Sequence, residues 1–393
     1  MMEMARLIEI TGKALSGEWG TDDETGEGIP VLRTTNFTNE GVVNYNDVVT
    51  RKITKKNIND KFLRKGDIII EKSGGSDKFP VGRVIYFDGV ENTYLFNNFT
   101  GLLRVKDREV WYPRYIFYSL YANYKRGGTR SFENKTTGLH NLKTDTYVEQ
   151  FEVGEKSKKE QVSICNKLDK LHDVMKLREQ ELQMLNDLIK ARFVELFGDP
   201  RSNPFGFEKK MLKDTCKVIT GNIPSRAIAE YYGDYIEWIK TDNIVSGILS
   251  PTQATESLSE KGMNVGRTVE KDSILMACIA GSIASIGRVC ITDRTVAFNQ
   301  QINAVVPEQY NILFLYVLLQ MSKDYLVEDI NMALKGILSK SKLEEKEFII
   351  PPMDLQEQFS DFVKQVDKSK VVVQKALDET QILFNSLMQQ YFG

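Results

Sequence analysis

Apolar side chains recur near the middle of the chain at the spacing of a helix that packs along another helix. From about residue 158 to residue 198 they follow in alternating steps of four and three, and eight of the ten positions are apolar. The eight are Ile164, Leu168, Leu171, Met175, Leu182, Leu185, Ile189 and Leu196. A stripe of this period predicts a long coiled-coil helix. Gly198 and Pro200 predict its end, roughly 55 to 60 Å from its start.

A second stripe, interrupted by more polar residues, occupies the C-terminal stretch from Gln358 onward. Its main apolar positions are Phe359, Phe362, Val366, Val373, Leu383 and Leu387. Two long amphipathic helices of similar length are most simply satisfied by packing on each other, so we expect an antiparallel coiled coil. The alternative is two isolated surface helices. Arg178 and Arg192 interrupt the first stripe, and we expect them to pair with Asp or Glu across the coiled coil or to mark points where the helices splay.

The rest of the sequence repeats itself, which predicts a duplicated unit. Short motifs recur in constant order at offsets that fall from about 209 to about 195 residues. They are Thr11-Gly12 with Thr220-Gly221, Arg33-Thr34-Thr35-Asn36 with Lys240-Thr241-Asp242-Asn243, Gly82-Arg83-Val84 with Gly287-Arg288-Val289, and Phe96-Asn97-Asn98 with Phe298-Asn299-Gln300. Each copy therefore consists of about 150 residues of mixed character followed by a long helix.

Within the mixed regions, Ile- and Val-rich runs bounded by Gly and Asp predict short strands. We expect strands at 67–70, 81–87, 273–279 and 286–292, and buried helices at 112–124 and 312–325. The fold class is therefore α+β. The predicted boundaries are 1–154 for the first mixed domain, 155–199 for the central helix, 200–350 for the second mixed domain and 351–393 for the C-terminal helix.

Composition narrows the class of protein. The start of the chain has no basic segment followed by an apolar one, and we expect a cytoplasmic protein. Four widely spaced cysteines and two histidines make a zinc site or a disulfide framework improbable, so no metal site is expected. The net charge of −2 is not the basic balance of a free nucleic-acid binder, although basic residues cluster locally.

Both mixed regions carry polar residues suited to reading nucleic acid. Asn and Gln can bond adenine bidentately, Lys and Arg can bond guanine, and hydroxyl groups can hold phosphates. The alternative is that the Asn and Gly residues only shape turns. The candidate DNA-binding residues are Lys13, Arg33, Asn36, Lys72, Ser73, Asn97, Asn98, Arg130, Lys135, Asn222, Lys240, Asn243, Ser282, Asn299, Gln300 and Lys335.

No familiar catalytic motif is present. The sequence lacks a phosphate-binding G-x-x-x-x-G-K-[ST] loop, a convincing G-x-G-x-x-G after a strand, and a G-x-S-x-G elbow. Pro351-Pro352 leads into Met353, so it does not match the Asn/Asp-Pro-Pro-aromatic motif of adenine methyltransferases. No catalytic residue is therefore predicted.

The ordered set of motifs resembles the specificity subunit (HsdS) family of type I restriction-modification systems. The resemblance covers essentially the whole chain and is strongest in Ile219-Thr220-Gly221, Phe298-Asn299-Gln300 and the run from Pro351 to Gln358. The stretch from Arg192 to Pro200 also resembles the central region of the family. The first half departs from the pattern, because no proline follows Thr11-Gly12 as Pro224 follows Thr220-Gly221, and Glu155-Lys156-Ser157 replaces the Pro-Pro.

This resemblance implies a non-catalytic reader of double-stranded DNA. Two target recognition domains would each read half of a split site, separated by two long antiparallel helices in a pseudo-twofold, nearly circular chain. The helices would bind two modification subunits, which carry S-adenosylmethionine and methylate adenine, and a restriction and motor subunit can join them. No cofactor is expected on this chain. The alternatives are a single-chain DNA-modifying enzyme and a coiled-coil scaffold without DNA function.

Overall fold

The computed structural model describes residues 3–135, 139–328, 330 and 336–393. The chain divides into two compact units, one comprising Met1–Leu177 with Leu377–Gly393 and the other comprising Arg178–Ala376. Both are mixtures of helix and sheet, as expected. There are two helices of 40 residues each, the central helix Lys158–Phe197 and the terminal helix Met353–Phe392, and each contributes one segment to each unit.

Local signals set the ends of the central helix. Its first turn is a capping box, in which the Ser157 backbone N–H donates to Glu160 Oε2 at 3.0 Å and the Glu160 N–H donates to Ser157 Oγ at 3.3 Å. Gly198 ends the helix with a φ of 70°, and its N–H donates to the Val194 carbonyl at 2.9 Å.

In each unit the two half-helices pack on each other in opposite chain directions. In the first unit, Lys167 Nζ donates to Tyr391 Oη at 3.3 Å. In the second unit, the Phe359 ring lies edge-on to Phe193, with ring centroids 5.6 Å apart. The predicted stripe positions Ile164, Leu168, Met175, Ile189, Phe359, Val366 and Val373 are buried, and Leu171, Leu182, Leu185, Leu196, Phe362 and Leu387 are half-buried.

One expectation about the terminal helix is wrong. Leu383 was expected in the apolar stripe but is 49% exposed, whereas its neighbour Phe384 is 7% exposed. After Val373 the apolar stripe is shifted by one residue relative to the prediction. Phe384 and Met388 lie on the shifted stripe and join the core of the first mixed region. The ion pairs that the structure describes for Arg178 and Arg192 are with acids of their own helix. Arg178 pairs with Glu181 and Arg192 with Glu195, each one turn along the same helix.

The first unit is built from short strands and one buried helix, Pro113–Lys125, and its strands pair antiparallel except for Ile29–Leu32 with Leu95–Phe96, which pair in parallel. One sheet has the order Leu15–Ser16, Thr100–Leu103, Ile68–Glu71, Val84–Tyr86, and a second has the order Thr21–Asp22, Val49–Lys52, Ile29–Leu32, Leu95–Phe96. A third sheet is Glu133–Lys135, His140–Leu142, Ser73–Gly75, and Met4–Arg6 pairs with Glu152–Gly154. Short helices at Leu7–Thr11 and Thr144–Gln150 complete the unit.

The second unit repeats this arrangement. Its four-stranded sheet has the order Cys216–Thr220, Ile302–Pro307, Ile274–Ala277, Val289–Ile291, and its five-stranded sheet has the order Tyr232–Gly233, Ser257–Leu258, Ile236–Ile239, Val296–Phe298, Thr268–Val269. Two further strand pairs are Glu208–Met211 with Glu347–Ile350 and Ile279–Ala280 with Gly336–Ile337. The helices are Glu260–Val265, Ile312–Met321, Lys323–Val327 and Lys340–Glu345, so the helix expected at 312–325 is interrupted at Ser322.

The sheet order corrects one part of the predicted repeat. Thr11-Gly12 ends the short helix Leu7–Thr11, where Gly12 has a φ of 78°. The residue equivalent to Gly221 is instead Gly17, because each follows the first edge strand of its four-stranded sheet. A Thr-Gly pair suits both a helix end and a strand end, which is why the sequence match was misleading.

The described part of the chain contains no helix that is both long enough and apolar enough to cross a membrane.

Candidate nucleic-acid interface

In each unit the candidate interface includes a glycine in close contact with a backbone carbonyl group. A Cβ added to Gly17 would lie 2.2 Å from the Asn97 carbonyl oxygen, and one added to Gly221 would lie 2.2 Å from the Asn299 carbonyl oxygen. No larger residue fits at this distance, so the turn that follows each Phe-Asn sequence is held in one position. Because both units have this contact, we call the glycine, the carbonyl group and the turn that they hold the shared frame.

The predicted residues Asn36 and Asn243 hold a second turn of that frame. Asn36 Oδ1 accepts from the Arg33 N–H at 2.8 Å, and Asn243 Oδ1 accepts from the Lys240 N–H at 3.0 Å. Each amide group also donates to two acceptors farther along its own loop, at 2.9 to 3.2 Å. These hydrogen bonds occupy both ends of the carboxamides, so Asn36 and Asn243 shape turns in this structure.

A recurring arginine clamps the same turn from the other side. Arg83 donates to the Thr34 carbonyl at 2.9 Å, and Arg288 donates to the Thr241 carbonyl at 3.4 Å. Neither arginine was among the predicted site residues. The repeated Gly-Arg-Val motif therefore marks a structural clamp.

The basic residues beside these turns are paired with acids. Arg33 lies 2.9 Å from Asp47 and Lys240 lies 2.5 Å from Glu256. The side chains of Lys240 and Arg226 both donate hydrogen bonds to Glu256, and these bonds hold the pKa of that carboxyl below its usual value. Asn222 is also used within the fold, because its carboxamide accepts from the Arg267 N–H and donates to the Val265 carbonyl, at 2.8 and 2.9 Å.

The two positions after each recurring phenylalanine have different surroundings. Asn97 and Asn299 are buried at the ends of their strands. The following residues, Asn98 and Gln300, are exposed. A DNA partner can therefore reach the second amide of each pair and not the first.

The remaining predicted residues are more scattered. Lys13 is exposed beside a cavity that Arg64 and Lys106 also line. Arg130 is exposed and donates to two backbone carbonyls at 3.3 Å, and Ser282 Oγ lies 3.0 Å from Ser285 Oγ. Lys135 ends the strand Glu133–Lys135. Lys335 lies outside the described residues.

A cavity of about 510 Å³ in the first unit brings three predicted residues together, Lys72, Ser73 and Asn98. Lys72 is half-buried, its Nζ donates to Ser16 Oγ at 3.1 Å, and burial lowers its pKa. Two residues that the sequence did not single out, Phe99 and Asn141, line the same cavity. Phe99 is 54% exposed. Its position after Asn97-Asn98 is the one signal that pointed to it.

The described ranges contain no group of three or more His, Cys, Asp or Glu residues that could hold a metal ion. All four cysteines are free and buried. Burial raises the pKa of the Cys216, Cys278 and Cys290 thiols to about 12, which keeps them protonated and weakly reactive at neutral pH.

Comparison with known proteins fits the duplicated architecture. The sequence profile of the family described as "Type I restriction modification DNA specificity domain" matches residues 2–187 and 204–380. The type I restriction enzyme HindI specificity subunit of Haemophilus influenzae is 34% identical over 120 residues, which are 30% of this chain and 25% of that protein. The match thus spans a quarter of the relative.

Two solved structures share the fold over nearly the whole chain. The type I restriction-modification S subunit from M. genitalium has a TM-score of 0.59 at 16% identity, covering 100% of this chain and 96% of that one. A chain from a structure of the type I R-M system, concerned with its assembly and conformational transition, has a TM-score of 0.57 at 16% identity, covering 99% and 97%. Because the family profile matches both units, the chain belongs to the type I restriction-modification DNA specificity domain family and carries that domain twice.

Proposed function

We propose that this chain is the non-catalytic sequence-specificity subunit of a type I restriction-modification complex, and that each unit reads one half of a bipartite DNA site. The observation that carries the proposal is the duplicated frame. Both units have the same glycine-on-carbonyl contact and the same arginine-clamped turn, and both expose a carboxamide, Asn98 or Gln300, next to it. Carboxamides can bond bidentately to adenine in the major groove.

The domain limits follow from the same proposal. Residues 1–154 and 200–350 act as target recognition domains, and the helices within 155–199 and 351–393 act as antiparallel spacers in a pseudo-twofold, nearly circular arrangement. Support comes from the two 40-residue helices, each of which contributes residues to both units. A relatively rigid spacer between two readers predicts a site in two parts.

The outer faces of the helices are the proposed docking surfaces for two adenine methyltransferase subunits. Several apolar side chains on these helices are exposed in the described part of the chain. Met184 is 63% exposed, and Val371 and Val372 are each 69% exposed. Exposed apolar groups gathered on one element are typical of protein contacts. The methyltransferase subunits would supply S-adenosylmethionine and the chemistry, and a restriction subunit can join them.

Co-expression with the modification subunit of its own system, followed by genome-wide mapping of methylated adenines, tests the proposal. We expect one bipartite motif whose two halves are separated by unspecified bases, and no methylation at that motif when this chain is left out. An unsplit motif, or the same motif without this chain, would contradict the proposal. S-adenosylmethionine binding by the isolated chain would favour a single-chain enzyme instead.

A further inference from the structure

Backbone hydrogen bonds identify equivalent positions around the exposed carboxamides of the two units. In the first unit the Lys72 N–H donates to the Phe99 carbonyl at 2.8 Å. In the second unit the Cys278 N–H donates to the Gln301 carbonyl, also at 2.8 Å. Lys72 is therefore equivalent to Cys278 and Phe99 to Gln301. By the same alignment Asn98 is equivalent to Gln300.

Two more positions follow from strand pairing beside these bonds. The Lys72 carbonyl accepts from Leu142 at 2.9 Å, and the Cys278 carbonyl accepts from Leu338 at 2.8 Å. One residue earlier, Asn141 pairs with Ser73 and Ile337 pairs with Ile279. Ser73 is thus equivalent to Ile279 and Asn141 to Ile337.

The backbone at these five positions is shared, but the side chains are not. The first unit carries Lys72, Ser73, Asn98, Phe99 and Asn141, and the second carries Cys278, Ile279, Gln300, Gln301 and Ile337. The frame around them keeps the same residues in both units, namely a glycine, a Phe-Asn pair and a clamping arginine. The side chains at these five positions, here called the tips, differ between the units while the frame is the same. This is the arrangement expected of two readers for different sequences.

We infer that the accessible side chains at these positions, which exclude the buried Cys278, are the base-reading set of each unit and that the two half-sites differ. The first half-site contains a G·C pair contacted by Lys72 and an A·T pair read by Asn98 or Asn141, and the second contains A·T pairs read by Gln300 and Ile337. This inference rests on the proposed function. It names residues and bases that the proposed function leaves open.

The chemistry of each set leads to this assignment. Lys72 uses one N–H on Ser16 and keeps two for the O6 and N7 acceptors of guanine. The Asn98 and Asn141 carboxamides make no side-chain hydrogen bond within the described ranges, so both ends remain available to adenine. The second set has no cation, and Ile337 is 49% exposed, which suits contact with the thymine methyl group.

The test compares methylation motifs of full-length variants in the complex with the modification subunit. Asn98→Ala and Lys72→Met change the first set, Ile337→Ala changes the second, and Gln150→Ala is the control, since Gln150 is an exposed amide outside both sets. We expect Asn98→Ala and Lys72→Met each to lose base discrimination by roughly 5- to 150-fold, the effect of one bidentate contact, and Ile337→Ala to weaken the preference for thymine, in each case in one half-site only. The other half-site and the spacing should stay unchanged, and the control should keep the wild-type motif.

The unaltered half-site serves as an internal check on folding, because a misfolded chain would lose the whole motif. If Lys72→Met does not assemble, Asn98→Ala, which alters an exposed side chain, still decides the question. A wild-type bipartite motif that all three reading variants leave intact would overturn the inference and leave the proposed function standing. Absence of any bipartite motif with the wild-type chain would instead refute the proposed function. Two identical half-sites for the wild-type chain would also overturn the inference.

Discussion

Among single residues, adjacent asparagines have opposite roles. Asn97 ends a buried strand, whereas Asn98 is exposed one residue later. The repeated sequence motif contains both, so recurrence alone could not separate the residue that builds the turn from the residue that is free to bind. Burial separates them, because the Asn97 side chain is only 5% exposed and a base cannot reach it.

The close glycine contact gives a prediction about stability. Gly221→Ala places a methyl group against the Asn299 carbonyl, and we expect it to lower the free energy of unfolding of the second unit by about 1–3 kcal/mol, the cost of overpacking. Gly281→Ala in the same unit is the matched control, because its Cβ would meet nothing within 4 Å. Urea denaturation followed by circular dichroism measures both. Equal stability of the two variants would show that the contact is not tight.

Among secondary-structure elements, the terminal helix has a register that neighbouring residues can test. Phe384 joins the core of the first unit and Leu383 faces outward. We expect Phe384→Ala to lower the free energy of unfolding by about 3–5 kcal/mol, the cost of emptying a large buried site. Leu383→Ala should cost less than about 1 kcal/mol. Chemical denaturation of both variants checks the register. A larger loss of unfolding free energy for Leu383→Ala than for Phe384→Ala would favour the strict seven-residue repeat.

The long helices were predictable because their signal is local and spans many turns. The register error after Val373 arose where the stripe stops following its helical partner and joins the core of a mixed region, which helical periodicity does not encode. Strands such as Leu15–Ser16 and Leu95–Phe96 have two residues each, too few for an alternating pattern. The candidate site was predicted in part: Lys72, Ser73 and Asn98 meet in one cavity, but Asn141 joins them only through strand pairing distant in sequence.

At the level of the whole molecule, each unit has a core of its own. The largest apolar cluster of the first unit includes Trp111, and a separate cluster in the second unit surrounds Trp238. A variant with Trp19→Phe and Trp238→Phe keeps Trp111 as its reporter, and one with Trp19→Phe and Trp111→Phe keeps Trp238.

We predict that a destabilising substitution affects mainly its own unit, and the two tryptophan reporters can measure this. Phe384→Ala should lower the denaturation midpoint reported by Trp111 more than the midpoint reported by Trp238, and Gly221→Ala should do the reverse. Fluorescence at increasing urea concentrations measures both. Equal shifts from both reporters would mean that the chain unfolds as a single cooperative body.

The contact of Gly17 and Gly221 with the carbonyl groups also bears on how such a protein acquires new targets. The frame is fixed by buried groups that cannot change without loss of stability, whereas tips such as Asn98 and Ile337 have little part in the core. Substitutions of these exposed side chains can then accumulate one at a time, in either unit, while the fold is retained. Under the proposed function, the two copies can therefore diverge toward different DNA sequences.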